Sequence, residues 1–351
     1  MAQPFDYKRL ELSGEAAPLA EHVQNAFAPN WAFGLFSASS NGVLAYHAGA
    51  DMRDTRLTWI DRTGLRLSTL SGPGNISAMN FSPDRKSVAV ALTEGSNQDI
   101  WIYDLQRKLR TRLTFDSAVE DSPVWSPDGR TIVFASNRSG HFDLYRKSAD
   151  GSGAEELIYA GGMEKFATSW SPDGRFLLYW TRGDSKTGND IWVLPLAPGA
   201  KPYPLVQTTF NESFPRFSND GHWVSYQSNL SGGSEIYMIP FSPGGGAPAG
   251  RRQVSIDGGR FALWRRDGRE LFYISPDGKL MAAEMNAKSG SIEPGKLTAL
   301  CSGFSGLYNG PGFLYDVTYD GHSFLAVLPP EQATGAQPIA VVQNWTAGLK
   351  K

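Results

Sequence analysis

The sequence predicts an all-β fold of repeated four-stranded sheets, and two observations predict it. A turn of the form Ser-Pro-Asp-Gly recurs with its aspartates at positions 84, 128, 173, 220, 267 and 320, in steps of 44, 45, 47, 47 and 53 residues. The 351 residues also include 38 Gly, 22 Pro, 10 Trp, 13 Tyr and 19 Phe. Near-constant spacing in this range is typical of repeat architectures, and this composition is typical of short strands joined by turns.

The recurring turn predicts one hairpin in each repeat. Its clear copies are Ser82-Pro83-Asp84, Ser126-Pro127-Asp128-Gly129, Ser171-Pro172-Asp173-Gly174 and Ser218-Asn219-Asp220-Gly221, and weaker ones are Arg266-Asp267-Gly268 and Tyr319-Asp320-Gly321. Proline fixes φ at an early turn position, and aspartate bonds nearby backbone groups. Glycine adopts the left-handed conformation that closes the hairpin.

The repeat that begins at Asp121 has the clearest strand pattern. Strands are expected at 121–125, 131–136, 142–146 and 155–159, with Gly or Asp at the corners. The second strand is nearly all apolar, which is typical of a strand covered on both faces. A lone sheet with two apolar faces is unstable in water, whereas radial stacking covers both faces of each sheet. The pattern therefore predicts a β-propeller.

We predict a single domain, residues 1–351, with seven four-stranded blades; six or eight blades remain open alternatives. Residues 24–312 are expected to form blades one to six, and residues 313–351 the last blade and a C-terminal tail. Residues 1–23 are expected to supply N-terminal strands that close the last blade. A blade shared by both ends of the chain would leave no exposed sheet edge.

The terminal units are the irregular ones. The first unit is expected to contain strands 42–46 and 56–61. For the last unit we expect strands 315–318, 323–327 and 338–342, with the missing outer strand supplied by 8–12 or 18–21.

Composition and charge exclude several classes. A formal net charge of −2, with 19% charged residues, argues against a dedicated nucleic-acid binder, which needs a strongly basic face. The lone Cys301 excludes an intrachain disulfide. No stretch approaches the length of a transmembrane span, and the N-terminus does not have the pattern of a signal peptide. We expect a monomer that does not insert into a membrane, and the sequence leaves its compartment open.

The turn, followed by a strand that starts Asp-Ile-Trp or Asp-Leu-Tyr, resembles the TolB-like, WD-repeat-like β-propellers of bacteria over roughly residues 76–243. Residues 1–15 and 341–351 are similar to the C-terminal propeller of acidobacterial receptor-type serine/threonine kinases. That second resemblance implies the sensing or scaffold portion of a larger signalling protein, on the extracytoplasmic side of a membrane. It implies no kinase activity in these residues.

Motifs for catalysis are not found in the sequence. There is no Gly-x-Ser-x-Gly elbow, and Gly183-Asp184-Ser185-Lys186-Thr187-Gly188 does not have the ending of a phosphate-binding loop. Of the five histidines, His222 and His322 directly follow a turn glycine, and none has zinc-site spacing. The sequence therefore predicts a non-catalytic module that binds a protein, peptide or small ligand. The alternative is a propeller-type lyase or glycan hydrolase with its site at the channel mouth.

Candidate ligand-binding residues are those that break the repeat where loops enter the innermost strands. The repeated Asp99, Asp143, Asp190 and Glu235 obey the repeat and are predicted to be structural, bonding a neighbouring turn. The ligand-binding candidates at the channel mouth are Glu120, Asp121, Glu164, Lys165, Phe166, Glu212 and Arg260.

These candidates predict an acidic arc flanked by Lys165 and Arg260. Clustered carboxylates attract a counter-charge, so Ca²⁺ or a basic peptide end would suit the arc. The alternative is that they are ordinary solvated loop charges. No other cofactor and no catalytic residue is predicted.

Overall fold

The computed structural model describes most of the chain as strands and turns. The described residues are 55–244, 250–288, 291–304 and 310–330, with shorter stretches at 3, 5–6, 8–13, 15–16, 19–20, 25–28, 31–34, 36–39, 41–47 and 339–345. These residues include no α-helix, so the predicted all-β class is confirmed. In this part of the chain there is accordingly no helix of the length and apolarity that a membrane span requires.

Thirty-one strands occur in the described residues. In chain order they are β1 (Phe5–Asp6), β2 (Glu11–Leu12), β3 (Asn25–Ala28), β4 (Trp31–Gly34), β5 (Phe36–Ala38), β6 (Val43–His47), β7 (Arg56–Asp61), β8 (Arg66–Thr69), β9 (Asn75–Phe81), β10 (Ser87–Glu94), β11 (Asn97–Asp104), β12 (Leu109–Arg112), β13 (Glu120–Trp125), β14 (Thr131–Ser136), β15 (Asp143–Ser148), β16 (Glu156–Tyr159), β17 (Glu164–Trp170), β18 (Phe176–Asp184), β19 (Gly188–Pro195), β20 (Tyr203–Val206), β21 (Glu212–Phe217), β22 (Trp223–Ser228), β23 (Glu235–Pro240), β24 (Arg252–Gln253), β25 (Arg260–Trp264), β26 (Glu270–Ile274), β27 (Lys279–Lys288), β28 (Ser291–Ser302), β29 (Tyr315–Val317), β30 (Ser323–Leu328) and β31 (Ile339–Gln343).

The chain divides into two units, residues 56–328 and residues 1–55 with 329–351. In the second unit, β1 pairs with β2, β3 pairs with β4, and a three-stranded sheet has the order β31-β6-β5. The single-domain prediction for 1–351 is not tested by these pairings and stays a prediction.

The described residues of the unit 56–328 form six antiparallel four-stranded sheets. Five use consecutive strands: β9–β12, β13–β16, β17–β20, β21–β24 and β25–β28. The sixth has the order β29-β30-β7-β8, so it joins the two ends of this unit. We number the sheets one to six in this order, and call β9, β13, β17, β21, β25 and β29 the inner strands.

The recurring turn closes the hairpin after each of several inner strands, as predicted. Ser126 Oγ donates a hydrogen bond to Asp128 Oδ1 at 2.6 Å, and the backbone N–H of Thr131 donates to Ser126 Oγ at 2.9 Å. Gly129 has a φ of 71°, which an L-residue with a Cβ adopts only at a cost. Equivalent bonds form at Ser82, Ser171, Ser218 and Thr318.

The six turns that define the repeat spacing do not include one further complete copy of the tetrapeptide. Ser275-Pro276-Asp277-Gly278 makes the same bonds, with the N–H of Lys279 donating to Ser275 Oγ at 3.1 Å. It joins β26 to β27, at the opposite end of sheet five from the turn at Asp267. The tetrapeptide thus specifies a hairpin and does not by itself specify which hairpin.

The prediction of seven blades is not confirmed, because the described residues contain six four-stranded sheets. Strands 42–46 and 56–61, assigned to one unit from the sequence, belong to different sheets. β6 pairs with β5 and β31, whereas β7 pairs with β30 and β8. Within the described residues the four-stranded sheets start at residue 56, and the range 24–312 for blades one to six stays a prediction.

The expected closure of the last blade is not confirmed either. Strand β31 pairs with β6 instead of joining β30, and β2 pairs with β1 instead of serving as an outer strand of the last blade. Burial explains the choice: β30 is buried on both faces and pairs with β7, whose Leu57 and Ile60 are also buried, whereas β31 exposes Ile339 and Val341. Of the other expected outer strand, 18–21, Pro18 and Glu21 lie outside the described residues.

Successive sheets contact each other, and the sixth contacts the first. The N–H of Met79 donates to the backbone oxygen of Phe313 at 2.8 Å, and the hydroxyl of Tyr315 donates to the backbone oxygen of Phe261 at 2.8 Å. The first bond joins the segment before sheet six to sheet one, and the second joins sheets six and five. We call the end where loops lead into the inner strands the loop end. The end where the inner strands leave through the recurring turn is the turn end.

Candidate functional site

The structure places the seven predicted ligand residues at the first positions of four inner strands. Their strands are β13 (Glu120 and Asp121), β17 (Glu164, Lys165 and Phe166), β21 (Glu212) and β25 (Arg260). Five of the seven are buried: Glu120, Asp121, Lys165, Phe166 and Glu212. Their polar atoms mostly hold neighbouring elements together.

Glu120 is buried in an ion-pair network with Arg138. The guanidinium of Arg138 donates to carboxylate oxygens of both Glu120 and Glu155, and it lies 4.4 Å from the centre of the Tyr145 ring. Burial raises the pKa of Glu120 to about 7, although hydrogen bonding to Thr114 and the charge of Arg138 act in the opposite direction.

Asp121 joins sheets one and two. Its Oδ2 accepts hydrogen bonds from Ser77 Oγ at 2.8 Å and from Gln98 Nε2 at 2.7 Å. Burial raises the pKa of Asp121 in spite of these bonds. The next residue, Ser122, has a φ of 53° at a bulge in β13, so the strand bends where it begins.

Lys165 joins sheet three to sheet two. Its Nζ donates to Asp143 Oδ1 at 2.7 Å and to the backbone oxygens of Gly161 and Met163 at 2.9 and 2.6 Å. Burial acts to raise the pKa of Asp143, but Lys165 and Ser139 outweigh it, so the pKa lies below its usual value. These bonds use all three ammonium donors of Lys165.

Phe166 is part of an aromatic cluster between the inner strands. Its ring centre lies 5.0 Å from that of Trp180, which lies 5.3 Å from that of Phe214. Phe214 in turn contacts Phe261 at 4.8 Å and Phe313 at 5.8 Å. Both Phe214 and Phe261 have a positive φ, at 53° and 58°. Phe166 therefore lies in the core and not on an accessible mouth.

Glu212 and Asp190 form a junction that contains two acids. Glu212 accepts hydrogen bonds from Thr208 and Ser228, and Asp190 accepts them from Thr187 and Gln207. Asp190 Oδ1 and Glu212 Oε2 are buried and accept no hydrogen bond from the described residues. Burial raises the pKa of both carboxyls, and the charge of Asp190 raises that of Glu212 further.

Glu164 forms an ion pair at the loop end. Its Oε2 lies 3.6 Å from Arg182 Nη1, with side-chain exposures of 36% and 43%. Arg260 is half-buried in β25. The structure thus distributes the seven side chains over separate contacts instead of collecting them into one solvated arc.

Two of the acids that obey the repeat, Asp143 and Glu235, bond a neighbouring turn or loop as predicted, whereas Asp99 pairs with Arg112 of the adjacent strand at 2.7 Å. The backbone N–H of Gly258 donates to Glu235, and that of Gly161 donates to Asp143. No group of three or more His, Cys, Asp or Glu side chains suited to a metal ion occurs in the described part of the chain. The predicted Ca²⁺ contact and the seven-residue site stay predictions. His22 lies outside the described residues.

Three residues at the turn end were not predicted as candidates from the sequence. We call Arg85, Arg266 and Tyr319 the turn-end cluster. The Arg266 guanidinium lies 3.7 Å from the centre of the Tyr319 ring, and that of Arg85 lies 5.1 Å from it. The Tyr319 hydroxyl donates to the backbone oxygen of Pro83. The cluster therefore joins the turns of sheets five, six and one.

The signal for this cluster was present in the repeat itself. Arg85 stands where the other turns have glycine and has a φ of 59°, and Arg266 and Tyr319 stand where the clear copies have Pro or Asn. Arg266 is exposed, and Tyr319 is 37% exposed. Departures from a repeat are where function is expected, so these positions are candidates on the same criterion as the loop end.

Comparison with known proteins gives a family likeness over part of the chain. The family described as TolB beta propeller domain matches residues 56–189. A Tol-Pal system protein TolB of Helicobacter hepaticus is 24% identical over 181 residues, which is 49% of this chain and 42% of that protein. The protein of that name from Helicobacter pylori strain 26695 is 26% identical over 160 residues, 44% and 37% of the two chains. The chain thus spans about two fifths of the length of these curated relatives.

Solved structures show the same fold at low identity. A putative TolB from Agrobacterium tumefaciens has a TM-score of 0.63 at 19% identity and covers 78% of this chain and 98% of its own. TolB from Acinetobacter baumannii has a TM-score of 0.53 at 16% identity, with 72% and 68% covered. An oligogalacturonate lyase in complex with manganese has a TM-score of 0.52 at 15% identity, with 84% and 83% covered. The predicted TolB-like β-propeller is confirmed, and these likenesses show the fold alone.

Proposed function

We propose that this chain is a non-catalytic β-propeller module that binds a partner protein through the turn end. The observation that supports it is the turn-end cluster, in which Arg266, Tyr319 and Arg85 stack across three successive turns. Tyrosine and arginine are enriched at the residues that contribute most to protein interfaces. Stacking fixes these side chains before binding, which lowers the entropy cost of association.

The loop end is a second candidate surface, and the seven residues predicted from the sequence belong to it. The Glu164–Arg182 pair, with side chains 36% and 43% exposed, lies there within reach of a partner. The buried members would act by holding the strand starts in position. A peptide or small ligand that uses this end would therefore depend on Glu164 and Arg182 more than on Phe166 or Lys165.

The relatives suggest which partners to test first. They are named as proteins of the Tol-Pal system, so a component of such a system is the first candidate. We further propose that the module is the sensing or scaffold portion of a larger bacterial signalling protein. The support for this is the kinase-like pattern at 1–15 and 341–351. The alternative, a lyase or glycan hydrolase, is supported by the fold shared with an oligogalacturonate lyase.

The experiment measures binding of the chain to immobilised, purified Tol-Pal system proteins by surface plasmon resonance. Two matched variants separate the surfaces: Arg266→Ala with Tyr319→Ala for the turn end, and Glu164→Ala with Arg182→Ala for the loop end. We expect the turn-end pair to weaken binding at least about tenfold, because interface arginine and tyrosine often contribute 2 kcal/mol or more, roughly. If only the loop-end variant loses binding, the binding site is at the loop end. If the wild-type chain does not bind these proteins, this partner class is rejected.

A further inference from the structure

A small cavity lies among the inner strands of sheets one to four. It has a volume of about 10 Å³ and is lined by residues of β9, β13, β17 and β21, together with Gly312 and Phe313. Its polar lining residues are Asn80, Ser122, Thr168 and Arg216. A volume of about 10–15 Å³ on this measure is what one water-sized guest needs. The cavity therefore has room for a single atom or a water, and not for a phosphate or a carboxylate.

Arg216 supplies a buried positive charge beside this cavity. Its Nη1 donates to the backbone oxygen of Thr168 at 3.2 Å, and its Nη2 lies 3.7 Å from Asp316 Oδ2. A guanidinium has five N–H donors, so these contacts with described residues do not use them all. The side chain is 16% exposed, and burial lowers the pKa of Arg216 even though Asp316 acts to raise it.

Two guanidiniums share one carboxylate in this region. Arg85 Nη1 lies 3.1 Å from Asp316 Oδ1, on the other side of the same carboxyl group. Asp316 also accepts the backbone N–H groups of Phe81 at 3.1 Å and Val317 at 2.8 Å. Two guanidinium groups beside one carboxylate give these three side chains a net charge of one positive. A buried charge without a counter-charge is costly.

Among the other lining groups, the amide of Asn80 can donate a hydrogen bond to an anion. Asn80 Oδ1 accepts the N–H of Trp125 at 3.1 Å, which directs the role of donor to its Nδ2. The hydroxyls of Ser122 and Thr168 donate to Asp121 Oδ1 at 3.3 Å and to the backbone oxygen of Pro215 at 2.6 Å, so Arg216 and Asn80 supply the donors at this cavity. Guanidinium and amide donors beside one atom-sized space are complementary to a monatomic anion.

We propose that the cavity beside Arg216 is a halide site that binds chloride in ordinary saline. The ion would balance the charge that Asp316 leaves uncompensated between Arg85 and Arg216. The bound ion would lie among the inner strands of four sheets and link them. This inference does not depend on which partner the module binds.

The test is crystallographic and thermodynamic, and both arms use the whole chain. Crystals grown or soaked in sodium bromide at ordinary buffer concentration should show an anomalous peak within hydrogen-bonding distance of the Arg216 guanidinium. A water without anomalous signal at that place, or a peak only at molar bromide, would overturn the proposal.

The second arm compares thermal unfolding in sodium chloride and in sodium gluconate, whose anion is too large for the cavity, at equal ionic strength. We expect chloride to raise the midpoint saturably, by about 2–4 °C for each kcal/mol that binding contributes. Arg216→Gln should abolish the difference, whereas Arg182→Gln, on an exposed side chain, should retain it. An equal chloride response in wild type and Arg216→Gln would contradict the site. Should Arg216→Gln fail to fold, the bromide peak in the wild type decides.

Discussion

The Nζ of Lys165 lies 2.7 Å from Oδ1 of Asp143, and both side chains are 3% exposed. The same separation of 22 residues joins Asp190 to Glu212 in the next junction, where the lysine is replaced by an acid. One junction therefore contains a buried ion pair, and its neighbour contains two buried carboxyls. This difference lets the energetic role of the strand-start residues be measured separately at the two junctions.

Lys165→Met should destabilise the chain by about 3–5 kcal/mol, because it leaves Asp143 buried without its cation. Urea denaturation followed by tryptophan fluorescence measures the change. The double variant Asp143→Asn with Lys165→Met should recover part of the loss, since it removes the uncompensated charge. If the double variant is no more stable than Lys165→Met, the cost comes from lost packing and not from the ion pair.

Glu212→Lys should stabilise the chain at neutral pH, because it places an ammonium near Asp190 as in the preceding junction. Hydrogen bonds to charged groups contribute about 1.5–3 kcal/mol, and the loss of the bonds from Thr208 and Ser228 offsets part of this, so we expect a net gain on the order of 1 kcal/mol. Glu164→Lys, at an exposed position of the neighbouring strand, is the matched control and should change stability little. A loss of stability in Glu212→Lys would contradict this prediction. It would indicate that Asp190 and Glu212 already hold a proton between them in the wild-type protein.

Because its pKa is raised in the folded protein, Glu120 should make the free energy of unfolding fall as pH rises. Its pKa is about 7 in the folded protein against an ordinary value of 4.5, so the folded state holds the proton more tightly than the unfolded chain. The contribution is fully present below 4.5 and is lost as pH rises through about 7. Glu120→Gln should flatten the free energy of unfolding over this window, measured by urea titrations at several pH values. An unchanged pH profile in this variant would assign the titration to another group.

Gly174→Ala should destabilise the chain by about 1–2 kcal/mol through backbone conformation alone. Its φ is 76°, and a Cβ at this position would meet no atom within 4 Å. Gly162→Ala is the matched control, because a Cβ there also meets nothing within 4 Å but φ lies outside the left-handed region. Thermal unfolding of the two variants should therefore differ, and equal midpoints would contradict a conformational role for the turn glycine.

Phe166→Ala should cost about 3–5 kcal/mol, since it removes a fully buried ring from the aromatic cluster. Glu164→Ala, two residues earlier in the same strand, should change stability by about 0.5 kcal/mol or less because its side chain is exposed. Chemical denaturation compares them. A small effect for Phe166→Ala would restore that residue as a candidate for ligand contact.

The sequence predicts local turn chemistry and strand burial well. It predicts less well which strands pair with each other. The Ser126–Asp128–Thr131 bonds and the burial of strand 131–136 follow from turn chemistry and apolar runs, which depend on near neighbours. The pairing of β30 with β7 joins residues 56 and 328, and no local pattern specifies which distant edge a strand will meet. The count of seven blades, which depended on the strands at the two ends, is not confirmed for that reason.

The candidate site was predicted by position but not by burial. Glu120 and Glu212 do lie where loops enter inner strands, yet bulges and nearby hydroxyl or guanidinium donors allow both carboxyls to be buried. A charged residue is ordinarily expected at the surface, and its partner is visible only in three dimensions. Arg85 was accessible to sequence reasoning, because it replaces the turn glycine, but its ion pair with Asp316 was not.

The sixth sheet has a consequence for synthesis of the chain on the ribosome. Strand β7 pairs along its whole length with β30, from Asp61 with Ser323 to Arg56 with Leu328. Strand β7, the first strand of this unit, is synthesised long before β30. Its apolar residues therefore stay uncovered by β30 until nearly the whole unit has left the exit tunnel. Closing so long a loop is entropically costly and slow. We therefore expect nascent chains stalled before residue 323 to bind chaperones, and release of the completed unit to be the step that ends this dependence.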